Sequence, residues 1–401
     1  MSPGAIRELA QEMSRRYREA SRPEKTRLLD EFCDITGYHR KSANRLLLQD
    51  GAKRPQKRRG RPPKYQGGPF MSALLLLWEA GGYSCGKYLK AAIPALMIKL
   101  EKKRGMLYDG ALRALLLGIS ASTIDRLLKP YRQRRLPQRY ISSRVVSDLS
   151  HKIAMHTFAE LRELPLGHVE IDLVLHCGMT NSGFFLTTLT TVETISSWTI
   201  CIPVWGKGKE RVQGAVARLQ RQAPYTLLGI HNDNGSEFIN DTLYQYTQQK
   251  QLEFSHGRSY HKNDQPRVEQ RNGSLVRRLI GYGRYTSKEA LAQMDRVYEL
   301  ACRHANFFRP TAKLLSVERH GARQTKHYDA PRTPYQRLVD SGCLSDEQVA
   351  ALHAQYEELD PLALQRELMD ALDALWALEA VDPASERMQR LKDAVEAERS
   401  Q

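Results

Sequence analysis

"HVEIDLVLHC", residues 168–177, is where a chain that has so far read as helices begins to alternate. Val169, Ile171, Leu173 and Leu175 fall on one side of an extended segment, with Glu170, Asp172 and His176 on the other. Successive side chains of a strand point to opposite faces, so the pattern predicts a β-strand with one polar face. "GFFLTTLTTVE" and "SWTICIPV" follow, rich in aromatic and β-branched residues and separated by Gly, Ser and Asn turns. Together the three segments predict an antiparallel meander. "KERVQGAVARLQRQ" then reads as a helix, "TLLGIH" as a fourth strand and "SEFINDTLYQYTQQK" as a helix. "LEFSH" is a short fifth strand and "QPRVEQRNGSLVRRLI" another helix. A meander followed by alternating helix and strand predicts an α/β core over residues 160–285, a mixed five-stranded sheet with helices on its faces.

The flanks are helical and basic, which makes the chain multidomain. In residues 1–52, Ser21-x-x-Glu24 has capping-box spacing with Pro23 in the first turn, and Leu28, Leu29, Phe32 and Ile35 recur at helical intervals. Thr36-Gly37-Tyr38 breaks that helix before a second one that carries Arg40, Lys41 and Arg45. Helix, glycine turn and basic helix make a helix-turn-helix candidate for DNA binding, with a plain helical hairpin as the alternative. Residues 53–69 hold "KRPQKRRGRPPKY", with seven Lys/Arg, three prolines and no acid. Such a stretch cannot bury a core and reads as an extended linker. It resembles an AT-hook around Gly60-Arg61-Pro62, which would set Arg59, Arg61 and Lys64 against DNA; a basic linker tracking phosphates is the alternative.

Residues 70–140 repeat the helical design. A helix reaches Gly118, Ser122-x-x-Asp125 supplies a second capping-box spacing, and the next helix carries Arg126 and Lys129 and stops at Pro130. Residues 286–344 predict a long helix and a basic hairpin turning at Gly321, and residues 345–401 an acidic helical tail able to pack on the body or on a second subunit.

Charge and cysteine usage narrow the function. The net charge is +16, yet the stretch from Asp346 onward holds fourteen acidic and five basic residues, so the body ahead of it is more basic still. That asymmetry points to a polyanionic partner such as double-stranded DNA. Six cysteines without paired spacing argue against a zinc site or a disulfide framework, and the longest apolar run, "ALLLLW", is too short to span a membrane. The expected setting is cytoplasmic.

Three carboxylates stand out against this basic background. Asp172 lies in the first strand; Asp233 ends the fourth, in "IHNDNGSEF" (230–238); Glu269 falls in the first turn of a helix that Pro266 starts. Asp-Asn-Gly is good turn chemistry, so a surface turn alone would account for Asp233. If strands one and four are neighbours, however, the two aspartates lie side by side and a helix across that edge can bring Glu269 to them. Three converging carboxylates repel unless a cation lies among them, and oxygen-only ligands favour Mg²⁺ or Mn²⁺. Two such ions suit in-line displacement at a phosphodiester.

"EIDLVLHCG", "HNDNGSEF" and "NDQPRVEQRNGSLVRRLIGY" resemble the three catalytic motifs of the DDE transposase and retroviral-type integrase superfamily. Between Asp233 and Glu269 lie 35 residues, the spacing of its D,D-35-E subgroup. No His-His-Cys-Cys module precedes the core, which resembles the insertion-sequence branch. The resemblance implies a ribonuclease-H-like core in which Asp172 and Asp233 hold two Mg²⁺, replaceable by Mn²⁺, and Glu269 completes one site. It further implies that Asn272 and Arg277 lie where DNA passes. Glu193 stands where the family often has aspartate and is read as structural; His231 is read as a packed or hydrogen-bonded histidine, and Glu170 ranks below the triad. The implied protein is a nucleoid-associated prokaryotic transposase. It would bind the terminal inverted repeats of its element, assemble as a dimer or larger homo-oligomer, hydrolyse a phosphodiester and join the freed end to target DNA. Two alternatives remain open: a non-catalytic DNA-binding regulator derived from such an element, and a ribonuclease-H-like nuclease without strand transfer.

Overall fold

A computed structural model describes residues 1–48, 64–65, 67–132, 154–155, 164–232, 241–256, 266–320 and 323–381. Asp233, most of the basic linker with Arg59 and Arg61, the hairpin turn at Gly321 and the end of the acidic tail lie outside the described residues. The chain divides into two compact units, Met1–Lys64 and Tyr65–Gln401.

Among its described residues the first unit holds three helices, α1 (Pro3–Glu19), α2 (Arg22–Thr36) and α3 (Arg40–Leu47). Glu24 Oε2 accepts the Ser21 N–H at 2.9 Å, closing the capping box that starts α2, and Gly37 ends it at φ 71°. Phe32, Leu47, Met13 and Tyr17 form a small core, with Ile35 left exposed. Ser14 Oγ donates to the Leu47 carbonyl and Tyr17 Oη to Asn44 Oδ1, both at 2.7 Å, tying α1 to α3. Lys41 and Arg45 are exposed on α3, as is Arg40, which pairs with Asp30.

The second unit opens with α4 (Gly68–Ala80), α5 (Gly86–Arg104), α6 (Gly110–Gly118) and α7 (Ala121–Arg132). This helical block does not stand apart: Leu74, Leu96 and Leu128 share one contiguous core with Ile171, Leu189 and Ile202 of the sheet. The start of α7 differs from the sequence expectation. Ser120, not Ser122, receives the Thr123 N–H (3.2 Å). Asp125 accepts instead from the Gly86 N–H (2.8 Å) and pairs with Arg132 (2.6 Å), a long-range use that a local spacing rule cannot anticipate. Pro130 sits inside the last turn and the helix continues to Arg132, leaving Arg126 and Lys129 exposed.

The sheet has six strands: β1 (Ala154–Met155), β2 (His168–Leu175), β3 (Thr187–Glu193), β4 (Thr199–Val204), β5 (Gly229–Asn232) and β6 (Glu253–His256). Their spatial order is β1-β6-β5-β2-β3-β4. The β2–β3–β4 meander is antiparallel, and β5, β6 and β1 add in parallel. Five strands match the expected mixed sheet; the sixth, β1, has two residues, too few to carry a period. Helices α8 (Lys209–Gln222), α9 (Asp241–Gln249) and α12 (Lys288–Phe308) complete the layers. Every residue of β3 is buried although four of its seven are threonines. Three of the four hydroxyls are engaged: Thr187 donates to the Gly206 carbonyl (2.6 Å), Thr191 to that of Ile200 (3.1 Å), and Thr188 Oγ1 lies 2.7 Å from Tyr298 Oη, while Thr190 Oγ1 has no partner among the described residues.

The segment expected as one helix over 266–280 is not uniform. It comprises α10 (Pro266–Arg271), a π-helical stretch Asn272–Arg277 and α11 (Arg278–Ile280). Gly273 and Ser274, weak helix formers, lie in the widened part. A two-stranded hairpin, β7 (Leu314–His320) with β8 (Arg323–Tyr328), follows α12. Three helices then close the unit, α13 (Pro334–Asp340), α14 (Asp346–Glu358) and α15 (Pro361–Trp376). The acidic helices lie on the body of their own chain. Glu357 bridges Lys99 (3.3 Å) and Lys102 (2.5 Å), Asp360 meets Arg104 (2.6 Å), and Arg366 meets Glu79 (3.0 Å). Ion pairs open to water are screened and contribute little. Burying Leu368, Leu372 and Leu375 contributes roughly 1.5–3 kcal/mol per side chain, so the apolar stripe holds the tail and the charges set its register.

Candidate active site

The polar face of β2 is where the sheet meets α10. Glu170 is fully buried there. Its Oε2 accepts the backbone N–H groups of Arg267 (3.1 Å) and Val268 (3.0 Å), and its Oε1 pairs with the Arg267 guanidinium (2.5 Å). The first turn of a helix has N–H groups without intrahelical partners, and a carboxylate placed on them satisfies both donors and the helix dipole. Burial pushes the Glu170 pKa up, while Arg267 and the two N–H groups pull it the other way. Glu170 therefore anchors the start of α10, a role that alternation alone did not distinguish from that of Asp172.

Two residues along the same face, Asp172 is part-buried. Its Oδ1 accepts the Leu173 N–H (2.8 Å), and its Oδ2 accepts the Asn272 amide N–H (2.5 Å). Arg267–Asn272 is thus fastened to β2 at both ends, on Glu170 and on Asp172. Glu269 lies between the two fastenings, in the first turn of α10 and exposed. The helix widens into its π stretch at Asn272, the residue that reaches Asp172. Such π insertions recur at functional positions because they re-aim one side chain without ending the helix.

The neighbouring strand points the same way. β5 runs parallel to β2 and is paired as far as Ile171 opposite Asn232, one residue before Asp172 and Asp233. Asp233 itself lies outside the described residues. Among the described residues no three carboxylate, histidine or cysteine side chains gather as a metal-binding group. What is present nevertheless fits a hard divalent cation. Asp172 and Asn272 offer oxygen donors, and the buried Asn272 Oδ1 has no hydrogen-bond partner among the described residues.

The remaining candidates sort by geometry. Arg277 is part-buried over the Tyr282 ring (4.8 Å); burial lowers its pKa, and Asp172 is among the negative charges that act against this. Glu193 is buried and caps the β3–β4 turn, accepting the Ile195 N–H (3.0 Å) and the Ser196 N–H and hydroxyl (both 2.5 Å). His231 is buried with Nδ1 3.0 Å from Ser255 Oγ. His176, the next polar residue along the Asp172 face, was read only as part of the pattern. It is fully buried, with Nε2 2.7 Å from Thr188 Oγ1, which in turn lies 2.7 Å from Tyr298 Oη. Burial, aided by Arg277, lowers the His176 pKa to about 3, so the ring is neutral. Lys64, at the edge of the linker, is exposed.

Residues 162–262 match the Integrase core domain family. Across most of the chain there is a closer relative, the uncharacterized protein y4rM of Sinorhizobium fredii (strain NBRC 101917 / NGR234). The two are 37% identical over 336 residues, which is 84% of this chain and 95% of y4rM. The chain belongs to the y4rM family and carries an integrase core. The similarity to integrases lies in that core and spans the first two of the motifs quoted above. The matched stretch contains Asp172 and Asp233 and ends before Glu269. Two solved structures are also similar. One is the HTLV-2 integrase catalytic core domain in complex with magnesium, in a dimeric form (15% identity, 37% of this chain and 92% of that one, TM-score 0.28). The other is the catalytic core domain of BIV integrase (17% identity, 47% and 98%, TM-score 0.28). Among the described residues no helix is long and apolar enough to cross a membrane.

Proposed function

We propose that this integrase-core protein is an insertion-sequence transposase of the D,D-35-E type that cuts DNA at the ends of its element and joins them to a target. The observation that carries the reading is the double fastening to β2 of the segment Arg267–Asn272, which includes Glu269. A solvated acidic residue on a surface helix needs no such arrangement. Rigid support of this kind is what a reacting group requires to stay within a fraction of an ångström of its working position.

Asp172, Asp233 and Glu269 would hold two magnesium ions, which supply charge stabilisation to the oxygens entering and leaving phosphorus. The chain's own residues do the rest. Asn272 holds the Asp172 carboxylate in one rotamer by an amide N–H donated to Oδ2. Glu170 keeps α10 seated, so Glu269 does not swing out with a fraying helix end. On the first unit the exposed Arg40, Lys41 and Arg45 offer phosphate contacts, and on the second the exposed Arg126 and Lys129 do so; the basic linker sequence, with Arg59, Arg61 and Lys64, would add positive charge suited to double-stranded DNA. Assembly as a dimer or larger homo-oligomer would let two element ends be handled together.

The test is a strand-transfer assay with DNA flanking the gene as donor and Mg²⁺ or Mn²⁺ present, comparing the wild type with Glu269→Gln. Joined products from the wild type alone support the enzyme and the third ligand together. Specific binding with no cutting by either protein favours a DNA-binding regulator. Cutting that survives in the Gln variant removes Glu269 from the triad.

A further inference from the structure

Beside the π stretch and α11, with none of Asp172, Asp233 and Glu269 in its lining, the second unit holds a part-open cavity of about 300 Å³. Its walls come from α4, the π stretch and α11, the end of α12, and α15. The size lies at the lower end of that of small-molecule sites.

Two features of the lining point to a ligand. The first is flat apolar surface. Trp78 and Trp376 both line the cavity with their indole N–H groups already engaged, Trp78 Nε1 on the Ser84 carbonyl (3.0 Å) and Trp376 Nε1 on that of Leu279 (3.1 Å). Neither ring needs a polar partner from the cavity, and the indoles and Leu279 offer apolar contact.

The second is positive charge that no anion among the described residues matches. Arg309, at the C-terminal cap of α12, and Arg278 of α11 both line the cavity. Neither guanidinium makes a hydrogen bond or ion pair among the described residues, whereas the third arginine of the lining, Arg132, pairs with Asp125 at 2.6 Å. Burial and the charges of Arg271 and Arg278 lower the Arg309 pKa to about 10, with the Cys85 thiol opposing. No carboxylate is among the groups acting on it. His304, also in the lining, adds no negative charge: burial keeps it neutral, with a pKa of about 4. Its Nε2 lies 2.9 Å from the Ala80 carbonyl. A sheltered guanidinium without a counter-charge is costly, and a bound anion removes that cost.

We propose that this cavity binds a small planar aromatic anion, its ring against Trp78 and Trp376 and its carboxylate or phosphate on Arg309 and Arg278. The cavity also touches Ser274, Leu275 and Arg278, so such a ligand packs against the π stretch that Asn272 begins. The site stands independently of the strand-transfer reading, since none of its residues belongs to the carboxylate set.

Calorimetric titration of the full chain tests it. The probes are 2-naphthoate, 2-naphthyl phosphate, the neutral 2-naphthalenemethanol and inorganic phosphate. The naphthyl anions should bind at least about tenfold more tightly than the neutral alcohol, as charge-assisted bonds to two guanidinium groups require, and more tightly than inorganic phosphate. Arg309→Met should weaken the anions by about tenfold while leaving the alcohol unchanged. Arg278→Met, at an exposed position that folding does not depend on, should weaken them by roughly threefold. Equal binding of anion and alcohol would overturn the proposal, and so would equal binding of the naphthyl anions and bare phosphate. Undiminished anion binding by the Arg278→Met variant together with a folded Arg309→Met variant would move the site elsewhere.

Discussion

Glu170, Asp172 and His176 share one face of β2, and the two flanks of that face differ from its middle. Glu170 and His176 are fully buried. Glu170 is closed by backbone N–H groups and a guanidinium, and His176 is held through Nε2 by a threonine hydroxyl while its Nδ1 has no partner among the described residues. Asp172, between them, is part-buried and takes a neutral amide from a helix that widens to reach it. A polar group buried against fixed protein partners specifies structure. A carboxylate left at the edge, beside a second strand end and a helix start, is available for chemistry. The contrast makes separable demands on stability and activity.

The largest expected effect breaks the middle. Asp172→Asn should lower strand transfer by about a thousandfold, equivalent to roughly 4 kcal/mol of transition-state stabilisation. It should change the unfolding midpoint little, because the amide preserves volume and a partner for Asn272. Strand-transfer rates and a thermal melt on the same protein read both. A large loss of stability with activity kept would assign Asp172 to the structural flank.

Next comes the Glu170 flank. Glu170→Ala takes the Glu170 counter-charge from the part-buried Arg267 guanidinium and the acceptor from two helix N–H groups. Breaking a buried pair from one side costs about 3–5 kcal/mol, so the melting temperature should fall by several degrees. A conformational opening of α10 should accompany it, read as faster hydrogen exchange at Val268 and its neighbours. An unchanged melt would show that Glu170 is not the anchor.

The His176 flank gives a pH signature. Its folded pKa, about 3, is depressed below the unfolded value, so the native state gains stability above about pH 6.5 and loses it as the pH falls toward the folded pKa. His304, depressed to about 4, acts with the same sign. Between pH 6.5 and 5 each histidine contributes a slope approaching ~1.4 kcal/mol per pH unit. Urea midpoints measured at three pH values should fall accordingly, and His176→Gln should roughly halve the slope. A slope that the substitution leaves untouched would mean that His176 is not held neutral by burial.

Much of this face was legible in the sequence, and its division was not. The period of two placed Glu170, Asp172 and His176 together, and Pro266 marked the start of the helix that meets them. Alternation treats all three alike. What separates them comes from residues about a hundred positions away, Arg267 and Asn272, and from Thr188 on the next strand. The π stretch left a faint signal in Gly273-Ser274, indistinguishable from an ordinary weak spot in a helix. Ser122-x-x-Asp125 misled for the same reason: Asp125 serves Gly86 and Arg132 rather than its own helix start. The acidic tail was readable as helix, but its partners Lys99, Lys102 and Arg104 lie some 255 residues earlier, beyond the reach of any local pattern.

The smallest expected effect sharpens the contrast most, because it removes the link between middle and helix without touching a carboxylate. Asn272→Ala deletes the amide that holds Asp172 Oδ2. It also deletes the buried Oδ1 that has no partner among the described residues, so part of the lost hydrogen bond is offset by the loss of a buried orphan. The net change in stability should stay within about 1 kcal/mol. Activity should fall by about tenfold, since Asp172 then samples rotamers that the amide now excludes. Asn272→Asp separates positioning from ligation. It keeps the size but replaces the donor by a second carboxylate beside Asp172, which requires a cation or a proton there. A positioning role therefore predicts that the Asp variant is worse than the Ala variant at low Mg²⁺ and improves steeply as Mg²⁺ is raised. If Asn272 is merely a packed helix residue, the two variants will share one Mg²⁺ dependence with the wild type.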